Sequence, residues 1–430
     1  MTPLQRVFPM LGVLIFFAAG LDAQSLTSLQ QLGKSIFFDN NLSANKNQSC
    51  ASCHAPVAGW AGPDSAVNIA GSVYQGSIAA KFGDRRPPTS AYATQSPILH
   101  VVTDKKDILF VGGNFWDGRA TGERLGNPAA EQALGPFLNP VEQALPDTAC
   151  VVHRVCTAAY PVTFQQVWGS PACAITWPSN VGSICQSASG IVTLSADDRA
   201  KVNSAYDRVG LSVGAYEASS EVNAFTSKYD YYLAGKVDLT KEEKKGLNLF
   251  KSKGKCAKCH VLEPGPNGEP PLFTDFTYDN LGLPRNPLNP FYTSPVNPMG
   301  TSWIDRGLGG FLATRPDYAM YAAANVGKHK VPTLRNVALG LNSGIVKAFG
   351  HNGYFKSLYG IVHFYNTRDL KPACTDAFTT EAAAISQGCW PVPEVPANVN
   401  VAELGKLHLT KDQEDAIVAF LKTLSDGFIP

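Results

Sequence analysis

Cys50-Ala-Ser-Cys53-His54 and Cys256-Ala-Lys-Cys259-His260 are two copies of one five-residue motif, and the rest of the chain is best read outward from them. In a CxxCH segment the two cysteines bond the vinyl groups of a haem, and the adjacent histidine becomes an axial ligand of its iron. A zinc site would need further ligands at compatible spacing. A redox CxxC expects a βαβ context, which is missing here. Cys50, Cys53, Cys256 and Cys259 are therefore read as attachment points for two covalently bound haem c groups, with His54 and His260 as iron ligands.

The surroundings of the two motifs also repeat. Leu29, Leu32 and Ile36 fall at helical spacing ahead of the first, ending at Phe37-Phe38. Thr240-Lys-Glu-Glu243 reads as a capping box that opens a helix through Leu247 and Phe250 into the second. Thr410-Lys-Asp-Gln413 is another capping box, and Ile417, Phe420, Leu421 and Leu424 form one apolar stripe behind it. The expected fold is mainly α: two tandem cytochrome-c-like domains with long loops. The N-terminal haem domain spans 24–235 and the C-terminal one 236–430. Residues 196–235 read as helical, whereas prolines keep 261–330 loop-like.

Ten cysteines leave six outside the motifs: Cys150, Cys156, Cys173, Cys185, Cys374 and Cys389. Six cysteines allow about fifteen pairings, and sequence alone selects none. Locality favours Cys374 with Cys389 and two bridges within 150–185, making 146–190 a disulfide-stapled insertion. Disulfides imply an oxidising compartment, and the N-terminus agrees. Arg6 precedes an apolar stretch from Phe8 to Gly20, and Ala23 offers a cleavage site, so 1–23 reads as a signal peptide and the protein as periplasmic. That stretch is shorter than the roughly 20 residues a membrane-spanning helix needs, and no later segment is long and apolar enough. With 36 basic and 35 acidic residues, the formal charge of +1 offers no footprint for nucleic acid.

What fills the second axial position separates an electron carrier from an enzyme, because only an open iron binds peroxide or oxygen. Six histidines remain, His100, His153, His329, His351, His363 and His408, and none lies between His54 and His100. An open first iron is expected, with His100 the nearest rival in sequence.

The chain also resembles the bacterial dihaem cytochrome c peroxidase family, in its MauG-type branch. The resemblance is carried by Ile36-Phe-Phe-Asp39, Phe115-Trp-Asp-Gly-Arg119, Glu131-Gln-Ala-Leu-Gly-Pro136 and Asn139-Pro-Val-Glu142. It continues through Leu272-Phe-Thr-Asp275, Asn280-Leu-Gly-Leu-Pro284, Val331-Pro-Thr-Leu-Arg-Asn336 and His351-Asn-Gly353, and covers both haem domains except 146–230. It implies that Trp116 relays electrons or holes between the haems. Gln132, Pro136 and Glu142 would line the peroxide pocket of the first haem, with Glu142 as acid–base catalyst. A short insertion around Gly122 to Pro128 must bulge, but the spacing from Gln132 to Glu142 is intact. The position of the peroxidases' distal methionine at the second haem is Tyr365, and tyrosine there is the MauG-type feature. A phenolate favours oxidised iron, whereas methionine raises the potential. Met299 and Met320 are rival ligands. The peroxidases' distal histidine at the first haem matches Ala70.

One departure concerns calcium. The family holds it with an asparagine, replaced here by Arg86, and with two carbonyls matching Val346 and Ala348. Arginine cannot ligate a cation, which weighs against calcium. The expected activity is that of a peroxide-dependent dihaem oxidoreductase. Its partners are hydrogen peroxide and a redox partner or substrate protein, whose aromatic side chain is oxidised. The alternatives are a cytochrome-c peroxidase fed by a small cytochrome and a non-catalytic dihaem electron carrier.

Overall fold

The 22-residue helix Ala196–Glu217 organises the first half of the chain. Against it pack Ser28–Phe37, Pro128–Leu138 and Thr148–Thr157. The crossing with Ser28–Phe37 is made close by Gly33, where a Cβ would lie 1.9 Å from the Ser212 carbonyl oxygen. In the second half Lys241–Lys251 crosses Lys411–Lys422 in the same way: a Cβ on Gly246 would lie 1.9 Å from the Ala416 oxygen. Both helices carry the capping boxes expected at Thr240 and Thr410. The computed structural model describes residues 25–430 apart from 105–106, 188 and 266–267, so the expected signal segment lies outside the described residues.

Two large apolar cores result, as a tandem mainly α fold requires, and a third, smaller one joins Leu99 and Phe110 of the first half to Tyr278, Leu308 and Leu312 of the second. The first gathers Leu32, Ile36, Phe37, Phe137, Val209 and Tyr216. The second is built on Phe250, Phe273, Phe364 and Phe420, with ring centroids of Phe250 and Phe420 5.2 Å apart. Burying each such ring stabilises by roughly 1.5–3 kcal/mol. The helix Lys228–Leu233 joins this second core through Tyr229, which meets Phe273 and Phe420 edge-on. No described helix is long and apolar enough to cross a membrane.

The disulfides follow locality. Cys150 pairs with Cys185 and Cys156 with Cys173, stapling the insertion, and Cys374 pairs with Cys389. The region 261–330 is mostly irregular among the described residues, with one short α-helix, Gly307–Leu312, and several 3-10 turns. A hairpin of His100–Asp104 with Asp107–Val111 is an addition that the sequence reading lacks. His100 sits on it, exposed, with Nδ1 2.8 Å from the Ile98 carbonyl.

Candidate functional site

Each CxxCH motif forms a 3-10 turn, Cys50–Ser52 and Cys256–Lys258, and both histidines then follow the same rule. His54 directs Nδ1 to the Trp60 carbonyl at 3.3 Å, and His260 directs Nδ1 to the Phe273 carbonyl at 2.8 Å. A carbonyl only accepts, so Nδ1 carries the proton and Nε2 keeps a free lone pair for a metal. Trp60 and Phe273 both adopt left-handed backbone conformations, φ 61° and 54°, to present these carbonyls. Such strain in bulky residues costs on the order of 1–3 kcal/mol each and concentrates at functional sites. Burial pushes the His54 pKa down to about 4 and lowers that of His260 too, so both imidazoles are neutral at pH 7.

Cys256, Cys259 and His260 open into a cavity whose walls include Leu283, Ile361, Ile417 and Tyr365. Tyr365 comes from the helix Leu358–Thr367. Burial above all, with the neighbouring cysteines, pushes its phenol pKa well up, so the hydroxyl keeps its proton until a cation displaces it. Met299 and Met320 are 56% and 80% exposed and line no part of this cavity.

His54 opens into a second cavity with Phe115, Trp116 and Gln132. Apart from His54, its walls hold no histidine and no methionine among the described residues. Glu142 faces an adjoining space with Arg119, Asn139 and Glu131, and Phe115 forms the wall between the two. Burial raises the Glu142 pKa, an effect that Arg119 and a hydrogen bond from Asn139 offset only in part. Gln132 and Pro136 share one face of the helix Pro128–Leu138, one turn apart, though Pro136 reaches neither space. The insertion ahead of this helix does bulge. The Glu131 carboxylate gathers it by accepting the backbone N–H groups of Gly122, Arg124 and Leu125 at 2.7–2.8 Å.

Trp116 borders both haem-motif cavities. Its loop turns sharply, with Phe115 at φ 62° and Gly118 at φ 77°, and the Arg119 guanidinium caps the Phe115 ring at 3.8 Å. The indole N–H donates to the Arg86 carbonyl at 2.8 Å, and the Trp116 carbonyl accepts from the Lys330 N–H at 2.9 Å.

The residues fit haem. The four motif cysteines are the ones left unpaired while the other six bridge. The walls of the second-motif cavity also hold Arg86, Lys330 and Lys347, and although Asp279, Asp305, Glu394 and Glu403 line it too, none of these carboxylates pairs with the three cations. Burial lowers the two lysine pKa values to about 7. Buried cations need a counter-charge, and a haem brings anionic propionates. The carbonyl of Val346, offered by the resemblance to calcium, accepts instead from Asn68 Nδ2 at 2.8 Å, and the Arg86 guanidinium donates to the carbonyls of Gly350 and Pro87.

Sequence reading missed Arg119, Lys347 and the paired carbonyl acceptors. Arg119 had a signal, since it closes the Phe115–Arg119 motif. Also unforeseen is the face-to-face stack of His329 on His351, 3.5 Å apart beside Asp305, at the wall of the Tyr365 cavity.

The profile of the di-haem cytochrome c peroxidase family matches residues 27–238. The methylamine utilization protein MauG of Paracoccus denitrificans is 33% identical over 403 residues, 93% of this chain and 89% of that protein. The cytochrome c551 peroxidase of Pseudomonas aeruginosa is 29% identical over 311 residues, 72% of this chain and 65% of the relative. The diheme peroxidase BthA of Burkholderia thailandensis E264 shares the fold with a TM-score of 0.70 at 28% identity, covering 94% of this chain and 87% of that one. The paired motifs, their cavities and these relatives agree: the chain belongs to the di-haem cytochrome c peroxidase family, in its MauG branch, as a peroxide-dependent oxidoreductase with two covalently bound haem c groups.

Proposed function

We propose that this enzyme uses peroxide to oxidise an aromatic side chain of a partner protein. The observation that carries the reading is the pair of cavities: one holds Tyr365 together with a CxxCH histidine, and the other holds His54 with no second histidine or methionine among the described residues. Cys50, Cys53, Cys256 and Cys259 would hold the haems, and His54, His260 and Tyr365 would ligate iron. The haem at His54, when bound, supplies the iron that takes up peroxide and accepts its two oxidising equivalents.

The chain's own residues manage protons and position. Glu142, with its pKa raised by burial, accepts a proton from the entering peroxide and delivers it to the oxygen that leaves as water. Gln132 orients the peroxide by hydrogen bonding, and Pro136 shapes the helix that carries it. Phe115, clamped by Arg119, borders both the space of Gln132 and that of Glu142. Trp116 bridges the two cavities as the relay. We assign 24–235 and 236–430 to two haem domains, a division supported by the two large cores; the 228–233 helix, on the first side of the boundary, packs on the second core. Three disulfides support an exported, periplasmic protein.

The test is a peroxide titration of the purified haem-loaded protein followed by a reductive titration. The expected result is uptake of one peroxide and retention of both oxidising equivalents in the absence of any donor. A protein that ignores peroxide sinks the reading. One that turns over only with a reduced small cytochrome is a donor-fed peroxidase instead.

A further inference from the structure

Trp116 meets one residue, Arg86, at two points of opposite electrical sense. The Arg86 carbonyl accepts the indole N–H at 2.8 Å, while the guanidinium carbon of the same residue lies 5.4 Å from the indole ring centroid. The guanidinium donates to the carbonyls of Gly350 and Pro87, at 3.1 and 3.2 Å, and no carboxylate among the described residues pairs with it. Burial pushes its pKa down to about 10, so it stays charged at neutral pH. The backbone holds the arrangement, because the Arg86 N–H donates to the His351 carbonyl at 2.9 Å.

We propose that Arg86 is a positioning residue that keeps oxidising charge from settling on Trp116. The proposal rests on the relay reading of Trp116. A cation facing an aromatic ring stabilises its π electrons, and so makes loss of one electron harder. A backbone carbonyl cannot take the indole proton away, since amide oxygen is a poor base, so the oxidised indole cannot relax to a neutral radical. One electron leaves the indole toward the peroxide-reacting side and one returns from the Tyr365 side, with no proton exchanged. The oxidant is the peroxide of the established activity. Passage is then brief, and the ring is spared oxygen addition.

The test uses the full haem-loaded chain mixed with peroxide, with Arg86→Met, Arg86→Lys and Trp116→Phe beside it. Rapid-freeze electron paramagnetic resonance reads the tryptophan radical, and peptide mass reads oxygen added at Trp116. Arg86→Met should raise both by about tenfold per haem-loaded chain, in line with the size of a cation–π contact. Arg86→Lys keeps the charge and should resemble the native protein. Should Arg86→Met fail to load haem, Arg86→Gln provides a neutral side chain that still donates hydrogen bonds. Native radical yield in the neutral variants, or Arg86→Lys behaving as Arg86→Met, overturns the charge argument. Trp116→Phe leaving charge transfer between the haems intact overturns the relay reading itself.

Discussion

The guanidinium of Arg335 grips the carboxylate of Asp230 with two hydrogen bonds, of 3.0 and 2.8 Å, in a site where the two side chains are 1% and 8% exposed. The same guanidinium lies over the rings of Tyr92 and Phe225, 5.0 and 4.5 Å from their centroids, and its Nε donates to the Pro271 carbonyl. One arginine of the second half is thus fastened to aromatic residues of the first. Burial raises the Asp230 pKa, but the hydrogen bonds and charge of Arg335 outweigh it and the net shift is downward. The pair's stabilisation is therefore complete above the unfolded carboxylate value near 3.9 and fades as pH falls through the lower folded value. Arg335→Met leaves a buried unpaired carboxylate and should cost about 3–5 kcal/mol in denaturant unfolding at pH 7. It should also raise the pH of acid unfolding. An unchanged acid midpoint would show the pair to be dispensable.

Glu142→Gln removes the proton acceptor while keeping shape. Peroxide consumption should fall by about 10²–10⁴-fold. In the native protein the rate should decline as pH drops through a pKa above the ordinary 4.5, because the carboxylate form is the active one. The variant should lose that acid limb. A limb that survives the substitution assigns the proton step to another group.

Trp116→Phe keeps an aromatic filler but raises the ionisation energy and removes the N–H that reaches Arg86. Haem loading and peroxide uptake should be native. Charge sharing between the haems should vanish, and turnover of the partner should fall by about a hundredfold or more, a loss of at least about 2.7 kcal/mol in barrier terms. Native turnover in the variant reduces Trp116 to packing between the halves.

The haem motifs and the helix starts at Thr240 and Thr410 were legible because their determinants are local: a covalent spacing in one case, a four-residue capping box in the other. The close crossings of Gly33 on Ser212 and Gly246 on Ala416 were not, since each partner lies far along the chain. A signal was nonetheless present, because Gly33-Lys-Ser-Ile-Phe37 and Gly246-Leu-Asn-Leu-Phe250 share one pattern. Arg335 and Lys347 escaped for another reason. Charged residues are rarely buried, and only the assembled fold shows Asp230 beside one and three backbone carbonyls around the other. The strands His100–Asp104 and Asp107–Val111 carried Val101-Val102-Thr103 and Ile108-Leu109-Phe110-Val111, a strand signal that the helical frame obscured.

Tyr365 gives the sharpest separation between a MauG-type enzyme and a peroxidase fed by a small cytochrome. It borders the same cavity as Cys256, Cys259 and His260, while both rival methionines are on the surface. As the ligand, it predicts one high-spin and one low-spin ferric haem at rest. The low-spin haem should lack the sulfur-to-iron band of a methionine ligand, and a hard anionic ligand should hold its reduction potential low. Tyr365→Phe removes the ligating oxygen and keeps the ring, so that haem should turn high-spin. His363 is a poor substitute in this variant, because its Nδ1 is held by Glu414 at 2.9 Å and its Nε2 meets Lys371. Tyr365→Met should move the potential upward and let a reduced small cytochrome support turnover, at the expense of retaining two oxidising equivalents. A native protein that shows the methionine band, with a spectrum that Tyr365→Phe leaves unchanged, would place sulfur on that iron and make the cytochrome-fed peroxidase the correct reading.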